Sequence, residues 1–370
     1  MKMKFNGINK ILFIFLIINF EFLFSEELIN KLKKEENMKN NITFGTWMRY
    51  SKKSEKDWLI FFNKYKEAGI TDYFIQANPN QLRKLINLTK PLKINIHAWV
   101  WTLNRPNDKE AMKNKDWYSV NKLGQNSYDS RPYVDYYQWL SPFSEGARNH
   151  IKQFIDELSK IEDLASVHLD YVRYSDIFLP IKLQPKYGLD QSYEMPEYDF
   201  GYHPIARERF KKQYGLDPKE IKNDDLKDEW LKFRLDAVTS LVNELTEISH
   251  KNGTKISAAV FPYPDMARRM VRQDWASWNV DLVCPMNYHH FYNEDIDWIN
   301  FSVNNGVNET RGKFDYYSGI FVGALNPQKF RKAIIGSIKA GANGVVFFSI
   351  NNLSSEHLDI LYDITKNPQY

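Results

Sequence analysis

Short apolar runs alternate with amphipathic stretches along most of this chain. Runs rich in β-branched and aromatic residues fall at 42–48, 72–76, 94–101, 166–172, 255–261, 280–286, 317–322 and 344–350. Each has the length of a strand buried on both faces. Between them, 54–69, 146–158, 230–250, 327–340 and 354–366 carry the spacing of amphipathic helices. The first of these opens at Ser54 with a Ser-x-x-Asp variant of the capping box and stops at Gly69. Strand and helix in regular alternation predict βα units around a parallel sheet. About eight such units over this length predict an α/β fold of the (β/α)8 TIM-barrel type rather than an open doubly wound sheet. No G-x-G-x-x-G follows the first run, which argues against a dinucleotide-binding fold.

Two connections are too long for plain loops: 102–145 after the third strand and 175–227 after the fourth. Segments of that length inside a compact domain are usually lids or small subdomains. In a barrel both emerge at the C-terminal face, where the chemistry sits. The first holds Trp117, Tyr118, Tyr128, Tyr133, Tyr136, Tyr137 and Trp139. A few could stack on sugar rings, while most are expected to hold the loop in place.

The N-terminus changes the picture of where the chain acts. Lys2, Lys4 and Lys10 precede an apolar run from Ile11 to Phe24, broken by Asn19 and Glu21, with Ser25 at the expected cut. This is the form of a secretory signal peptide over 1–25, too short for a comfortable membrane span. An uncleaved N-terminal anchor is the runner-up. Residues 26–40 are rich in Lys, Glu and Asn and read as a flexible lead-in, leaving 41–370 for one barrel domain. Without the leader the chain has 47 basic and 45 acidic residues, a balance that suggests no nucleic-acid partner. The single cysteine, Cys284, cannot form an internal disulfide and is expected as a small buried hydrophobe. Oligomeric state is not legible.

Candidate chemistry concentrates at Val167–Tyr174, reading VHLDYVRY. An apolar run ends in Asp170, Tyr171, Arg173 and Tyr174, the look of a buried parallel strand opening into a polar site. Through the pleat, His168 and Asp170 share one face, directed to the barrel mouth. Arg173 is the expected partner of Asp170, since a nearby cation favours the ionised carboxyl. The plainer alternative is a structural Asp–Arg pair capping the strand.

Further motifs occur in order along the chain. His97-Ala98-Trp99 is followed by Leu140-Ser141-Pro142 with Glu145 and Arg148, and then by the His168–Tyr174 cluster. Gln273-Asp274-Trp275 with Trp278 and Pro285-Met286-Asn287-Tyr288 complete the series. It resembles the family 10-like glycosyl hydrolases, secreted or envelope (β/α)8 proteins of bacteria, over about 44–350. The resemblance implies hydrolysis of a glycosidic bond in a polysaccharide or glycan strand, with peptidoglycan one candidate. It also implies that Asp170 is the nucleophile or charge-stabilising carboxylate.

Such hydrolysis usually requires a second carboxyl group. Asp265, just beyond the fifth strand, is the first choice as acid and Glu294, after the sixth, the second. Asp281, at the start of the sixth strand, reads as structural, and Asp274 as a helix anchor. Substrate contacts are expected from Trp47, Arg49, His97, Trp99, His168, Tyr171, Arg173, Tyr174, Asn287 and Tyr288. No H-E-x-x-H, cysteine cluster, calcium loop or G-x-S-x-G is present, so no metal site and no cofactor are expected. A polysaccharide deacetylase would need a metal-binding Asp/His set that the sequence lacks. The rival reading from another class is a non-catalytic carbohydrate-binding barrel, kept open because no second carboxyl stands out.

Overall fold

Eight parallel strands close into a barrel in the order β1 to β8, each hydrogen-bonded to its sequence neighbour and β1 to β8. The strands are β1 Thr43–Arg49, β2 Ile70–Gln76, β3 Asn95–Trp101, β4 Ser166–Asp170, β5 Lys255–Val260, β6 Leu282–Pro285, β7 Asp315–Phe321 and β8 Gly344–Phe348. They come from a computed structural model, which describes residues 42–367. All eight expected strands form, and no end moves by more than two residues. The chain is therefore a (β/α)8 TIM barrel. The signal peptide and lead-in expected at 1–25 and 26–40 lie outside the described residues. No helix among the described residues is long and apolar enough to cross a membrane.

The helices are α1 Glu55–Glu67, α2 Pro79–Thr89, α3 Glu145–Ser159, α4 Pro204–Tyr214, α5 Asp224–Lys251, α6 Pro264–Val271, α7 Trp298–Thr310, α8 Pro327–Lys339 and α9 Ser355–Lys366. Four of them, α2, α4, α6 and α7, are absent from the sequence reading. Three of those four carry Pro at their first position, where its missing N–H costs nothing. Helix α1 starts at Ser54, whose hydroxyl accepts from the Asp57 N–H. The capping box stays half-made, because Asp57 takes the Ser54 hydroxyl at 2.6 Å instead of reaching back to the backbone. At Gly69 the chain leaves the helix with φ at 93°, and a Cβ there would clash with the Thr365 hydroxyl. Trp58, Phe62 and Tyr65 carry the buried face of α1, each worth roughly 1.5–3 kcal/mol on burial.

Inside the barrel, Trp47, Phe74, Trp99, Ala259, Leu282, Cys284 and Val346 pack into one apolar cluster. Cys284 is fully buried there. At the N-terminal end, Asp281 accepts from the Ile256 N–H and from His250, which fastens the start of β6.

The two long connections brace each other over the mouth. The one after β3 is held by isolated antiparallel bridges, Asn104 to Trp139 and Tyr118 to Leu140. Tyr118 and Trp139 are buried beneath it. The one after β4 includes α4 and returns into α5. Its Tyr198 ring stacks on Tyr133 of the first loop at 4.4 Å and 6°. Gln191 donates to the Tyr133 hydroxyl, which in turn donates to the Asp176 carbonyl. Deeper in, Asp199 forms a buried ion pair with Arg234 of α5 at 2.8 Å. Burial opposes charge on Asp199, yet Arg234 and Arg272 outweigh it and hold its pKa below the usual value.

Candidate active site

A cleft of about 550 Å³ opens at the C-terminal face of the barrel. Seven of the expected site residues line it: Trp47, Arg49, Trp99, Asp170, Tyr171, Arg173 and Tyr288. They come from the ends of β1, β3, β4 and β6, so the fold gathers positions that are far apart in sequence.

Asp170 ends β4 and is held on both oxygens. The Trp99 indole N–H donates to Oδ2 at 2.9 Å, and the Tyr171 backbone N–H donates to Oδ1 at 2.7 Å. Tyr171 lies in the left-handed region, φ 49°, an uncommon conformation for a bulky residue. That kink turns the chain back over the mouth, and strain of this kind concentrates at functional sites. Burial raises the Asp170 pKa; the two hydrogen bonds and the Arg173 charge oppose the rise without cancelling it.

The expected Asp170–Arg173 ion pair does not form. Arg173 instead lies 3.4 Å from Asp176, both side chains buried. The Arg173 guanidinium sits over the rings of Trp139, Tyr171 and Phe261 at 4.9, 5.3 and 5.0 Å and donates to the Tyr174 carbonyl. Arg173 therefore acts on Asp170 through space while bonding elsewhere. Asp176 also accepts from the Tyr137 hydroxyl at 3.0 Å and lines the cleft. It is the second cleft carboxyl that the sequence reading missed. The only signal was its position three residues after Arg173, because the left-handed turn at Tyr171 removes any strand periodicity beyond Asp170.

The other six expected residues lie elsewhere. Asp265 sits in the first turn of α6 with 78% of its side chain exposed, paired with Arg268. Glu294 is exposed in the connection before α7. Neither lines the cleft, which corrects the expectation that one of them supplies its second carboxyl. Asn287 faces outward, donating to Ser318 and accepting from Ser302 of α7. Alternation along β6 places Cys284, Met286 and Tyr288 on one side and Asn287 on the other. Tyr174 is buried on the far side of the turn, where its N–H donates to the Val271 carbonyl. His97 and His168 point into the barrel but sit below the cleft, bonded to interior groups.

Further aromatic rings complete the walls, Tyr136 of the first long loop among them. Trp101 and Tyr136 meet at 5.9 Å along one side, with Tyr136 46% exposed. Tyr292 and Phe348 also line the cleft. Burial, with Asp170 adding to it, keeps the Tyr171 and Tyr288 phenols protonated far above their usual pKa. The cleft thus combines two carboxyls, two guanidinium groups and several phenol donors within apolar walls. That chemistry suits sugar rings, which present apolar faces and polar edges.

No protein-family model matches the sequence, and no curated protein matches it. Solved structures do match its fold. The glycoside hydrolase domain of PgaB (BpsB) from Bordetella bronchiseptica is similar with a TM-score of 0.65 at 13% identity. That match covers 88% of this chain and 99% of the other. The catalytic domain of β-amylase from Paenibacillus polymyxa gives 0.61 at 12% identity, covering 90% and 99%. A β-galactosidase from the Antarctic haloarchaeon Halorubrum lacusprofundi gives 0.65 at 8% identity, covering 88% and 58%. The barrel is therefore one that glycoside hydrolases share.

Proposed function

We propose that this chain is an exported glycoside hydrolase of the family 10-like group, cleaving a glycosidic bond in a polysaccharide or glycan strand. Peptidoglycan is one candidate substrate. The observation that carries the proposal is Asp170: a buried, doubly hydrogen-bonded carboxyl at the end of β4, in an aromatic cleft that holds a second carboxyl. The resemblance of the motifs to that group and the fold shared with glycoside hydrolases support it; fold alone would not assign an activity.

The two carboxyls divide the chemistry by environment. Burial favours the protonated form of Asp170, which suits it to donate a proton to the leaving oxygen. This differs from the role expected from sequence, where Asp170 is the nucleophile or charge-stabilising carboxylate. Asp176, facing the Arg173 guanidinium, takes the part of the carboxylate that stabilises positive charge at the anomeric carbon or activates its attacker. Trp101 and Tyr136 provide ring-stacking surfaces, and Arg49 and Tyr288 provide polar contacts at the rim. The leader at 1–25 would direct the protein out of the cytoplasm, and N-terminal sequencing of the mature protein checks its removal.

The deciding experiment measures new reducing ends from peptidoglycan glycan strands and a polysaccharide panel, with wild type, Asp170→Asn and Asp176→Asn. Product from wild type, lost in both variants, supports the proposal. Binding without product in all three proteins moves the chain to the carbohydrate-binding reading.

A further inference from the structure

Behind the cleft wall, polar side chains run down the barrel interior in single file. The Trp47 indole N–H donates to His168 Nε2 at 3.0 Å. His168 Nδ1 meets the Ser257 hydroxyl at 2.9 Å, and Ser257 meets Ser166 at 2.6 Å. Ser166 meets His97 Nδ1 at 2.7 Å, and His97 Nε2 meets Asp72 Oδ1 at 3.0 Å. Every member is buried.

The two ends dictate where each hydrogen sits. An indole nitrogen only donates, so His168 Nε2 accepts and the His168 hydrogen lies on Nδ1. Ser257 accepts that hydrogen and passes its own to Ser166, which passes its own to His97 Nδ1. The His97 hydrogen is then on Nε2, facing a carboxylate that only accepts. Asp72 is further fixed by Thr71 and Asn95, which donate to it at 2.8 and 3.3 Å. Both ends thus demand the same direction. A hydrogen on Nε2 of His168 would oppose the indole hydrogen. A doubly protonated His97 would turn both hydroxyls towards His168 and strand one donor inside the barrel. Burial also holds His168 neutral.

We propose that this one-way chain sets the plane of the Trp47 indole, making His168, Ser257, Ser166, His97 and Asp72 positioning residues for the cleft. Apolar packing holds the ring as well, which meets Phe74 and Phe348 at 5.9 and 6.4 Å in tilted and edge contacts. The N–H bond adds a directional contact, fixing which edge of the indole faces His168. The inference rests on the proposed function only in that Trp47 lines the cleft proposed to take a sugar.

The test is nitrogen-15 NMR of the histidine rings and tryptophan indoles at pH 7 in wild type, Ser257→Ala and Ser257→Thr. Loss of one indole signal in Trp47→Phe identifies the resonance. Wild type should show His168 with its hydrogen on Nδ1 and His97 with its hydrogen on Nε2. Ser257→Ala should mix the His168 tautomers and speed exchange of the Trp47 indole hydrogen about tenfold, the change that losing one net hydrogen bond produces. Ser257→Thr, which keeps the hydroxyl, should restore both. A wild-type His168 carrying its hydrogen on Nε2, a doubly protonated His97, or an unchanged Trp47 signal in Ser257→Ala would overturn the inference. Release of reducing ends from peptidoglycan strands, run on the same samples, separates the two claims. An inactive wild type that keeps the tautomer pattern defeats the sugar-site reading and leaves the orientation intact.

Discussion

The lower barrel interior and its mouth handle buried polarity in opposite ways. Below the cleft, Asp72, His97, Ser166, Ser257 and His168 spend their donors and acceptors on one another and on Trp47. At the mouth, Asp170, Arg173 and Asp176 are partly bonded, and all three still line an open cleft with Tyr288 and Tyr292. A buried polar group with every partner satisfied is architecture, whereas one that still faces a cavity is available to a ligand. Residue type alone does not tell the two apart: the histidines, usual candidates for chemistry, belong to the first class here.

The comparison breaks most sharply at Asp170. Asp170→Asn should lower kcat on a cleaved glycan by about 10²–10⁴-fold, the range for losing a general acid, with the fold kept. Comparable kcat in variant and wild type would remove the mouth from the chemistry. Asp72→Ala tests the other half. It deprives His97, Asn95 and Thr71 of their acceptor and should cost about 2–4 kcal/mol in urea unfolding. A loss below about 0.5 kcal/mol would show that the interior chain is not holding the barrel together.

Smaller effects sharpen the picture. Tyr136→Ala removes an exposed ring from the cleft wall and should raise KM on long oligosaccharides by roughly 3–10-fold, as expected for one lost stacking contact. Proton linkage gives a further check, because the folded pKa of Asp170 is raised above its unfolded value. Its stability contribution is then fully present below the unfolded pKa and is lost as pH rises through the folded one. The Tm difference between Asp170→Asn and wild type should therefore shift in favour of the variant from pH 3 to pH 7, and a flat difference would contradict the raised value. Smallest of all, Asp265→Asn loses only an exposed pair with Arg268 and should leave kcat within about twofold and stability within about 0.5 kcal/mol.

Much of this is legible in the sequence. Apolar runs bounded by turn residues located all eight strands, because a strand buried on both faces leaves little room for polar positions. Asp170 was legible for the same reason: a charge at the end of such a run has to face something. The site failed to read wherever periodicity stopped. Tyr171 takes a left-handed turn that no sequence pattern announces, so Asp176 and the true partner of Arg173 were hidden behind it. Depth along a strand was equally invisible. Alternation placed His97 and His168 on the inner face with Trp99 and Asp170, but the pleat does not say which layer reaches the cleft. Asp265 and Glu294 were chosen for following a strand end, a rule that ignores how α6 begins at once and carries Asp265 out to solvent.

The rim has a bearing on how such a cleft could be redesigned. Tyr133 stacks on Tyr198, takes a hydrogen from Gln191 and gives one to the backbone of Asp176. The loops after β3 and β4 are thus two halves of one joint, and that joint also seats a cleft carboxyl. A chimera that borrows one loop from another barrel would inherit a tongue without its groove, and Asp176 would lose its seat. Reshaping this cleft would require transplanting both segments together, as a single exchangeable part.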